Sequence, residues 1–168
     1  MAAASLLPWP SKLGVVALLG SGALLLGAFY FQYVMELPPC ELCHWQRYPH
    51  AVVVVAGLGA LLAYQYPRIA LVLVLVAITA LLATAAIGFY HVGVEYRWWK
   101  GPSGCAANIP TGLSLDELRK YLFGAKLVRC DETAWSLWGL SMAAWNSLIS
   151  LAIAFVLGGS VAKSVPRS

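Results

Sequence analysis

The stretch from Ile69 to His91, IALVLVLVAITALLATAAIGFYH, decides the fold class because its 23 residues include no charged side chain. An α-helix needs about 20 predominantly apolar residues to cross the hydrocarbon core of a bilayer. Three further apolar stretches approach that length, at residues 13–34, 49–66 and 142–161. We therefore predict an all-α integral membrane protein in which these four stretches form a four-helix transmembrane bundle.

The overall composition points to the same class. Of 168 residues, 61% are apolar and only 11% are charged, whereas soluble domains average about 45–50% apolar and about 25% charged. The net charge of +4, with no run of five or six basic residues, argues against a nucleic-acid-binding protein. The first apolar run, 13–34, is too long for the core of a cleaved signal peptide, so we expect it to be a retained anchor. The prediction is a single membrane domain over residues 1–168.

The connections between the predicted spans fix their relative arrangement. Only Pro67 and Arg68 separate the second span from the third, so these two helices should form a tight antiparallel hairpin. Pro49 suits the first turn of the second helix, where its missing N–H costs nothing. The two long connections, 35–48 and 92–141, are separated by two spans. They should therefore face the same compartment, and together they contain all four cysteines.

Charge gives the orientation. The segments opposite the cysteine loops carry four basic residues and no acid, whereas the cysteine side carries seven basic and seven acidic residues. The positive-inside rule then places both termini in the cytoplasm and both cysteine-containing loops outside.

The second external loop contains a predicted helix. Ser114-Leu115-Asp116-Glu117 has the capping-box pattern, and leucines then recur at helical spacing. We expect a short amphipathic helix from Ser114 to Ala125 that lies on the bilayer surface or covers the top of the bundle.

The chemistry is concentrated in Pro39-Cys40-Glu41-Leu42-Cys43-His44-Trp45-Gln46-Arg47. A Cys-x-x-Cys bridge closes a very small ring and adds little stability, but this spacing suits reversible thiol exchange. We expect Cys40 and Cys43 at the start of the second helix, where the helix dipole favours a thiolate. Arg47, one turn after Cys43, adds a permanent cation. Glu41 should partly oppose it by raising the thiol pKa values. The pattern predicts a redox-active pair.

Other chemistries share these residue types. Cys40, Cys43 and His44 match the attachment pattern of c-type haem, but haem leaves Cys105 and Cys130 unexplained. A zinc site is also disfavoured because the later cysteines lack a Cys-x-x-Cys of their own, so we expect no metal. A bridge between Cys105 and Cys130 would contribute about 3–4 kcal/mol by chain entropy. A structural role for it remains open, as do all three cysteine pairings.

Four further motifs of the sequence contribute to a resemblance to a known family. They are Phe89-Tyr90-His91-Val92-Gly93-Val94-Glu95, Cys130-Asp131-Glu132, Trp135, and Gly139-Leu140-Ser141-Met142-Ala143-Ala144-Trp145-Asn146. With the four spans and the two cysteine pairs, the chain resembles the bacterial disulfide-bond formation protein B family, DsbB. The vitamin K epoxide reductases also have four-helix redox cores, but their Cys-x-x-Cys follows the loop cysteines, whereas here it precedes them.

The resemblance implies a multi-pass enzyme of the bacterial inner membrane with periplasmic cysteine loops. It would reoxidise the periplasmic dithiol protein DsbA and pass two electrons to a membrane quinone, ubiquinone or menaquinone. His91 matches a position near the quinone. A non-catalytic membrane scaffold, held by two disulfides and binding another protein, is the contrasting hypothesis.

The resemblance also implies a role for each remaining site residue. Cys105 would form the mixed disulfide with the partner, with Cys130 as its loop partner. Cys40 would exchange with that loop pair, and Cys43 would be the thiolate that meets the quinone. Arg47 would stabilise this thiolate and the charge developing on a quinone oxygen.

Overall fold

The computed structural model describes residues 8–102, 114–116 and 129–164. Its elements in chain order are helices α1 (Trp9–Tyr33), α2 (Glu41–Leu62) and α3 (Pro67–Glu95), strands β1 (Ser136–Leu137) and β2 (Leu140–Ser141), and helix α4 (Met142–Ser164). Cys105 lies outside the described residues, and so does the predicted helix 114–125 apart from its first three positions.

Three helices of the described chain, α1, α3 and α4, are long and apolar enough to cross a membrane. Apolar side chains stand exposed on their outer faces and on α2; Leu26, Val55 and Phe155 are each at least 70% exposed. Such outward-facing apolar surface is what a bilayer covers. The chain is therefore a mostly helical, multi-pass membrane protein, with α2 as a fourth helix that has a polar first half.

Helix α2 begins earlier than the second predicted span. Cys40 is its N-cap in an extended conformation, and the Cys40 sulfur accepts a hydrogen bond from the backbone N–H of Cys43. This cap starts the helix at Glu41, so Pro49 lies in the helix interior and our prediction of a first-turn proline was wrong. The ring of Pro49 leaves the carbonyl four residues before it without its usual donor.

The hairpin between α2 and α3 is also shifted. Helix α2 ends at Leu62, and residues 63–66 form the turn, closed by the Tyr66 N–H donating to the Ala63 carbonyl at 2.8 Å. Pro67, which we predicted in the turn, opens α3 instead. A proline at the first helical position loses no hydrogen bond, because that N–H has no partner within the helix.

Small residues allow the helices to approach closely. A Cβ atom built on Gly57 would lie 2.7 Å from the carbonyl oxygen of Gly14, so α1 and α2 touch through their backbones here. The buried hydrophobic core of the bundle includes Ala17 of α1, Val53 of α2 and Leu81 of α3. Helix α2 packs against both α1 and α3, and α4 packs against α3. The cysteine pair lies where α2 begins and α3 ends.

A short antiparallel hairpin connects the Cys130 segment to α4. Strands β1 and β2 pair Ser136 with Ser141 and Leu137 with Leu140. The two turn residues, Trp138 and Gly139, have φ values of 53° and 79°, and positive φ at both positions is the signature of a type I′ turn.

Candidate active site at the cysteine end of the bundle

Cys40 and Cys43 face each other at the N-terminus of α2. Both are free thiols, with their sulfur atoms 2.8 Å apart and the Cys40 thiol donating to Cys43. Cys40 is buried, whereas Cys43 is partly exposed. The prediction that this pair stands at the start of the second helix is confirmed.

Cys130, in the segment before β1, lies against this pair. The Cys40 sulfur, the Cys130 sulfur and a ring nitrogen of His91 all lie within 4.8 Å of one another, and all three residues are buried. Cys130 is disulfide-bonded. Three such atoms suit a soft metal ion only when both sulfurs are thiolates. With Cys130 oxidised, the arrangement is instead a thiol placed beside a disulfide sulfur, the geometry of thiol–disulfide exchange.

The two thiols of the pair differ in acidity. The hydrogen bond from Cys40 is the main cause that lowers the pKa of Cys43, and the nearby Arg47 cation lowers it further. The same hydrogen bond, followed by burial, raises the pKa of Cys40. The carboxylate that opposes Arg47 at Cys43 is Glu95, at the end of α3, and not Glu41 as we expected. Cys43 is therefore the more acidic thiol of the pair.

Arg47 is held between α1 and the cysteine pair. Its guanidinium donates to the Gln32 side-chain oxygen at 2.5 Å and to the Ala28 carbonyl at 3.4 Å. It also lies 5.4 Å from the centre of the Phe29 ring, within range of a cation–π interaction. These contacts hold the permanently charged guanidinium of Arg47 one helical turn after Cys43.

A cavity of about 480 Å³ opens beside the pair, within the size range of small-molecule sites. Most of its wall is apolar, from α1, β1 and the first turns of α4. The polar and ionisable side chains on its wall are Cys40, Cys43, Gln46, Arg47, His50, His91, Glu95, Arg129, Glu132 and Asn146. A chamber with a mostly apolar wall can bind a flat, lipid-soluble molecule against Cys43.

The sequence was compared with known proteins. The family model described as "Disulfide bond formation protein DsbB" matches residues 10–159. The chain belongs to the DsbB family. It is 31% identical to the Disulfide bond formation protein B of Haemophilus influenzae over 73% of this chain and 69% of that protein. It is 30% identical to the protein of the same name from Pasteurella multocida, over 89% and 88% of the two chains. A relative from Stutzerimonas stutzeri with that name is 31% identical, over 88% and 91%.

Membership of the DsbB family identifies a membrane protein of disulfide-bond formation with disulfide oxidoreductase activity. It agrees with the geometry, which brings together five of the six site residues predicted from sequence. Cys40, Cys43, Arg47, His91 and Cys130 lie around one end of the bundle. Cys105, the sixth, lies outside the described residues.

Sequence reasoning missed four polar residues of this site. Gln46, His50 and Asn146 are hydrogen-bonded together, and Glu95 acts on Cys43. The sequence contained a signal for these residues. Polar side chains within the apolar helices of a membrane protein usually face the bundle interior and often belong to a functional site. The spacing of Gln46 and His50, four residues apart on α2, also places them on one helix face.

Proposed function

We propose that the protein is a membrane thiol:quinone oxidoreductase that reoxidises a periplasmic DsbA-like dithiol protein. In this proposal residues 1–168 form one membrane domain of the inner membrane. Helix α2 is a fourth span because it packs between α1 and α3, and its apolar second half reaches the turn at 63–66. An even number of spans leaves both termini on one side, and the excess of basic residues on that side places them in the cytoplasm and both cysteine loops in the periplasm.

The observation that carries the proposal is the approach of the Cys40 sulfur to the disulfide-bonded Cys130 sulfur, within 4.8 Å. Attack by a partner thiolate on Cys105 would break a Cys105–Cys130 bond and release Cys130 as a thiolate. Cys130 then attacks Cys40 of an oxidised Cys40–Cys43 pair, and Cys43 leaves as the thiolate.

The remaining steps return the loop pair to its oxidised form. The second partner thiol attacks the mixed disulfide, which leaves the partner oxidised and Cys105 as a thiolate. Cys105 attacks Cys130, the loop disulfide re-forms, and Cys40 is released. Two electrons have then moved from the partner to Cys40 and Cys43. The arrangement described above, with both of these thiols free and Cys130 bonded, corresponds to this stage.

A quinone fits the cavity beside Cys43, because the chamber is mostly apolar and has a thiolate and a fixed cation on its wall. When bound, a quinone, ubiquinone or menaquinone, accepts two electrons and two protons. Cys43 and Arg47 would hold its ring, with His91 on the same wall. The Arg47 guanidinium would stabilise negative charge on a ring oxygen, as preorganised donors do in other active sites.

The test uses purified full-length protein, a reduced DsbA-like partner and a soluble ubiquinone analogue. We expect catalytic oxidation of the partner coupled to quinone reduction, and a fall to the uncatalysed rate in Cys43→Ser. Ser160→Ala, which removes a hydroxyl bonded only to its own helix backbone, is the matched control and should keep the wild-type rate. Turnover retained by Cys43→Ser would refute the proposal. Loss of all thiol turnover in the wild type would favour the scaffold hypothesis instead.

A further inference from the structure

A continuous chain of buried and half-buried polar side chains runs from α1 to the cysteine pair. Its links are Ser21 Oγ to His50 Nδ1 (3.0 Å), His50 Nε2 to Asn146 Oδ1 (2.7 Å), Asn146 Nδ2 to Gln46 Oε1 (2.8 Å), Gln46 Nε2 to His91 Nδ1 (2.9 Å) and His91 Nε2 to Cys40 Sγ (3.6 Å). Each of the four helices supplies at least one member.

Backbone carbonyls determine which way the Gln46 amide faces. Gln46 Nε2 lies 3.2 Å from the Leu42 carbonyl oxygen, which can only accept a hydrogen bond. The nitrogen must therefore stand on this side, where it also donates to His91 Nδ1. A neutral imidazole carries one proton, so that proton is on Nε2, the nitrogen that faces Cys40.

Thr84 determines the orientation of Asn146 in the same way. The Thr84 hydroxyl donates its one proton to the Gln46 backbone carbonyl at 3.1 Å. It can therefore only accept from Asn146 Nδ2, at 3.2 Å. The Asn146 oxygen then faces His50 and accepts from its Nε2–H, so His50 Nδ1 accepts from the Ser21 hydroxyl.

The same direction continues through the cysteines. The Cys40 thiol donates its proton to Cys43, and the Cys40 sulfur accepts from the Cys43 backbone N–H. His91 Nε2–H also faces this sulfur, at 3.6 Å, and the His91 ring hydrogen-bonds in addition to the Cys130 backbone. The side-chain hydrogen bonds that link Ser21 to Cys43 thus all point toward Cys43, and aligned hydrogen bonds of this kind strengthen one another in a low-dielectric interior.

We propose that Gln46, oriented by the Leu42 carbonyl and by Asn146, is a positioning residue that holds His91 in the Nε2–H tautomer and so leaves the Cys40 thiol proton for Cys43. The inference deepens the proposed function, because the thiolate at Cys43 is the group from which electrons would leave the protein. The chain orients its members but does not conduct protons, because the side-chain amides of Gln46 and Asn146 do not readily release their protons.

Removal of the Gln46 amide should weaken the choice of tautomer, because only the hydrogen bond from the His91 ring to the Cys130 backbone carbonyl would then favour Nε2–H. With a lone pair on Nε2, His91 would accept the Cys40 thiol proton and draw it away from Cys43. The lowering of the Cys43 pKa depends first on that Cys40 hydrogen bond. Other charged groups at the site are Arg47 on α2, Glu95 on α3, and Arg129 and Glu132 on the segment before β1. A Gln46→Met variant leaves all of them in place.

The experiment uses fully reduced, full-length protein with neither partner nor quinone. Nitrogen-15 NMR of labelled histidine reports the His91 tautomer, assigned by loss of the signal in His91→Asn. The rate at which iodoacetamide alkylates Cys43, followed by mass spectrometry across a pH series, reports its apparent pKa. In the wild type we expect the Nε2–H tautomer. In Gln46→Met we expect a mixture of tautomers and about one unit of increase in the Cys43 pKa, which is about tenfold less thiolate below it.

Two further variants complete the test. Asn146→Leu introduces no charge and removes the donor to Gln46 Oε1, so the Gln46 amide keeps only its contact with the Leu42 carbonyl and His91 should show a mixture of tautomers. Ser147→Ala removes a neighbouring hydrogen bond to the Ala85 carbonyl that is not part of the chain, and both readouts should stay at the wild-type values. An Nδ1–H tautomer in the wild type would overturn the proposal, as would an unchanged Cys43 pH profile in both Gln46→Met and Asn146→Leu. Neither readout needs quinone turnover, so failure of the proposed function would be seen separately.

Discussion

Replacement of Arg47 by methionine should raise the pKa of Cys43 while the helix itself stays intact. Arg47 contributes a cation to the cavity wall and is tied to α1 through Gln32 and the Ala28 carbonyl. Methionine has a similar length and high helix propensity, but it has neither the charge nor these donors. Arg47→Lys is the matched control, because it keeps the cation and loses only the planar, forked geometry.

The magnitude follows from the separation along the helix. Residues four apart have Cβ atoms about 5–6 Å apart, and two unit charges about 6 Å apart interact by about 3 kcal/mol at an effective dielectric constant of about 20. That is about two pKa units. The Cys40 hydrogen bond acts on Cys43 more strongly than Arg47 does, and Cys43 and Arg47 are both partly exposed. We therefore expect an increase of about one unit after screening.

The assay is alkylation of Cys43 in the reduced protein across a pH series that extends to about pH 9, just above the ordinary thiol value of about 8.5. The Arg47→Met profile should move to higher pH by about one unit, and Arg47→Lys should retain most of the wild-type profile. Quinone reduction should weaken in Arg47→Met, whereas thiol exchange between Cys40 and Cys130 should persist. An unchanged pH profile in Arg47→Met would show that the cation does not act on the thiolate.

Two other predictions concern the thiol pair and the helix packing. Because the pKa of Cys43 is lowered and that of Cys40 is raised, Cys43 should be alkylated first near neutral pH. Cys40 should follow only at alkaline pH, and the reverse order by peptide mass spectrometry would contradict the assignment of the thiolate. Gly57→Leu should destabilise the protein by about 1–3 kcal/mol, the usual cost of overpacking, because its Cβ would contact the backbone of α1. Gly22→Leu should leave the thermal unfolding midpoint nearly unchanged, since open space surrounds that position. Equal midpoints for the two variants would rule out the close contact.

Sequence patterns predicted most of the fold because membrane helices are dictated by long apolar runs. The helix positions at 9–33, 67–95 and 142–164 follow the predicted spans within a few residues. The second helix differs most, since its start depends on capping by Cys40 and not on hydropathy. Hydropathy averages over many residues, whereas a single cap or a proline decides where a helix begins and ends.

Some residues of the site could be predicted from the sequence, whereas others could not. Cys40, Cys43 and Arg47 lie within one helical turn or two, so their proximity followed from helical spacing alone. Glu95 and Asn146 are distant from the pair in sequence, and only the packing of α3 and α4 against α2 brings them to it.

By itself, the sequence determined a multi-pass helical membrane protein with a redox-type cysteine pair near a cation, because hydropathy and short-range spacing are local properties. Only the tertiary structure placed Cys130 and His91 against Cys40. It alone also revealed the direction of the buried hydrogen bonds, because carbonyls on α2 and a hydroxyl on α3 orient the amides of Gln46 and Asn146. Such an orientation depends on contacts among four helices, and no pattern within one segment contains it.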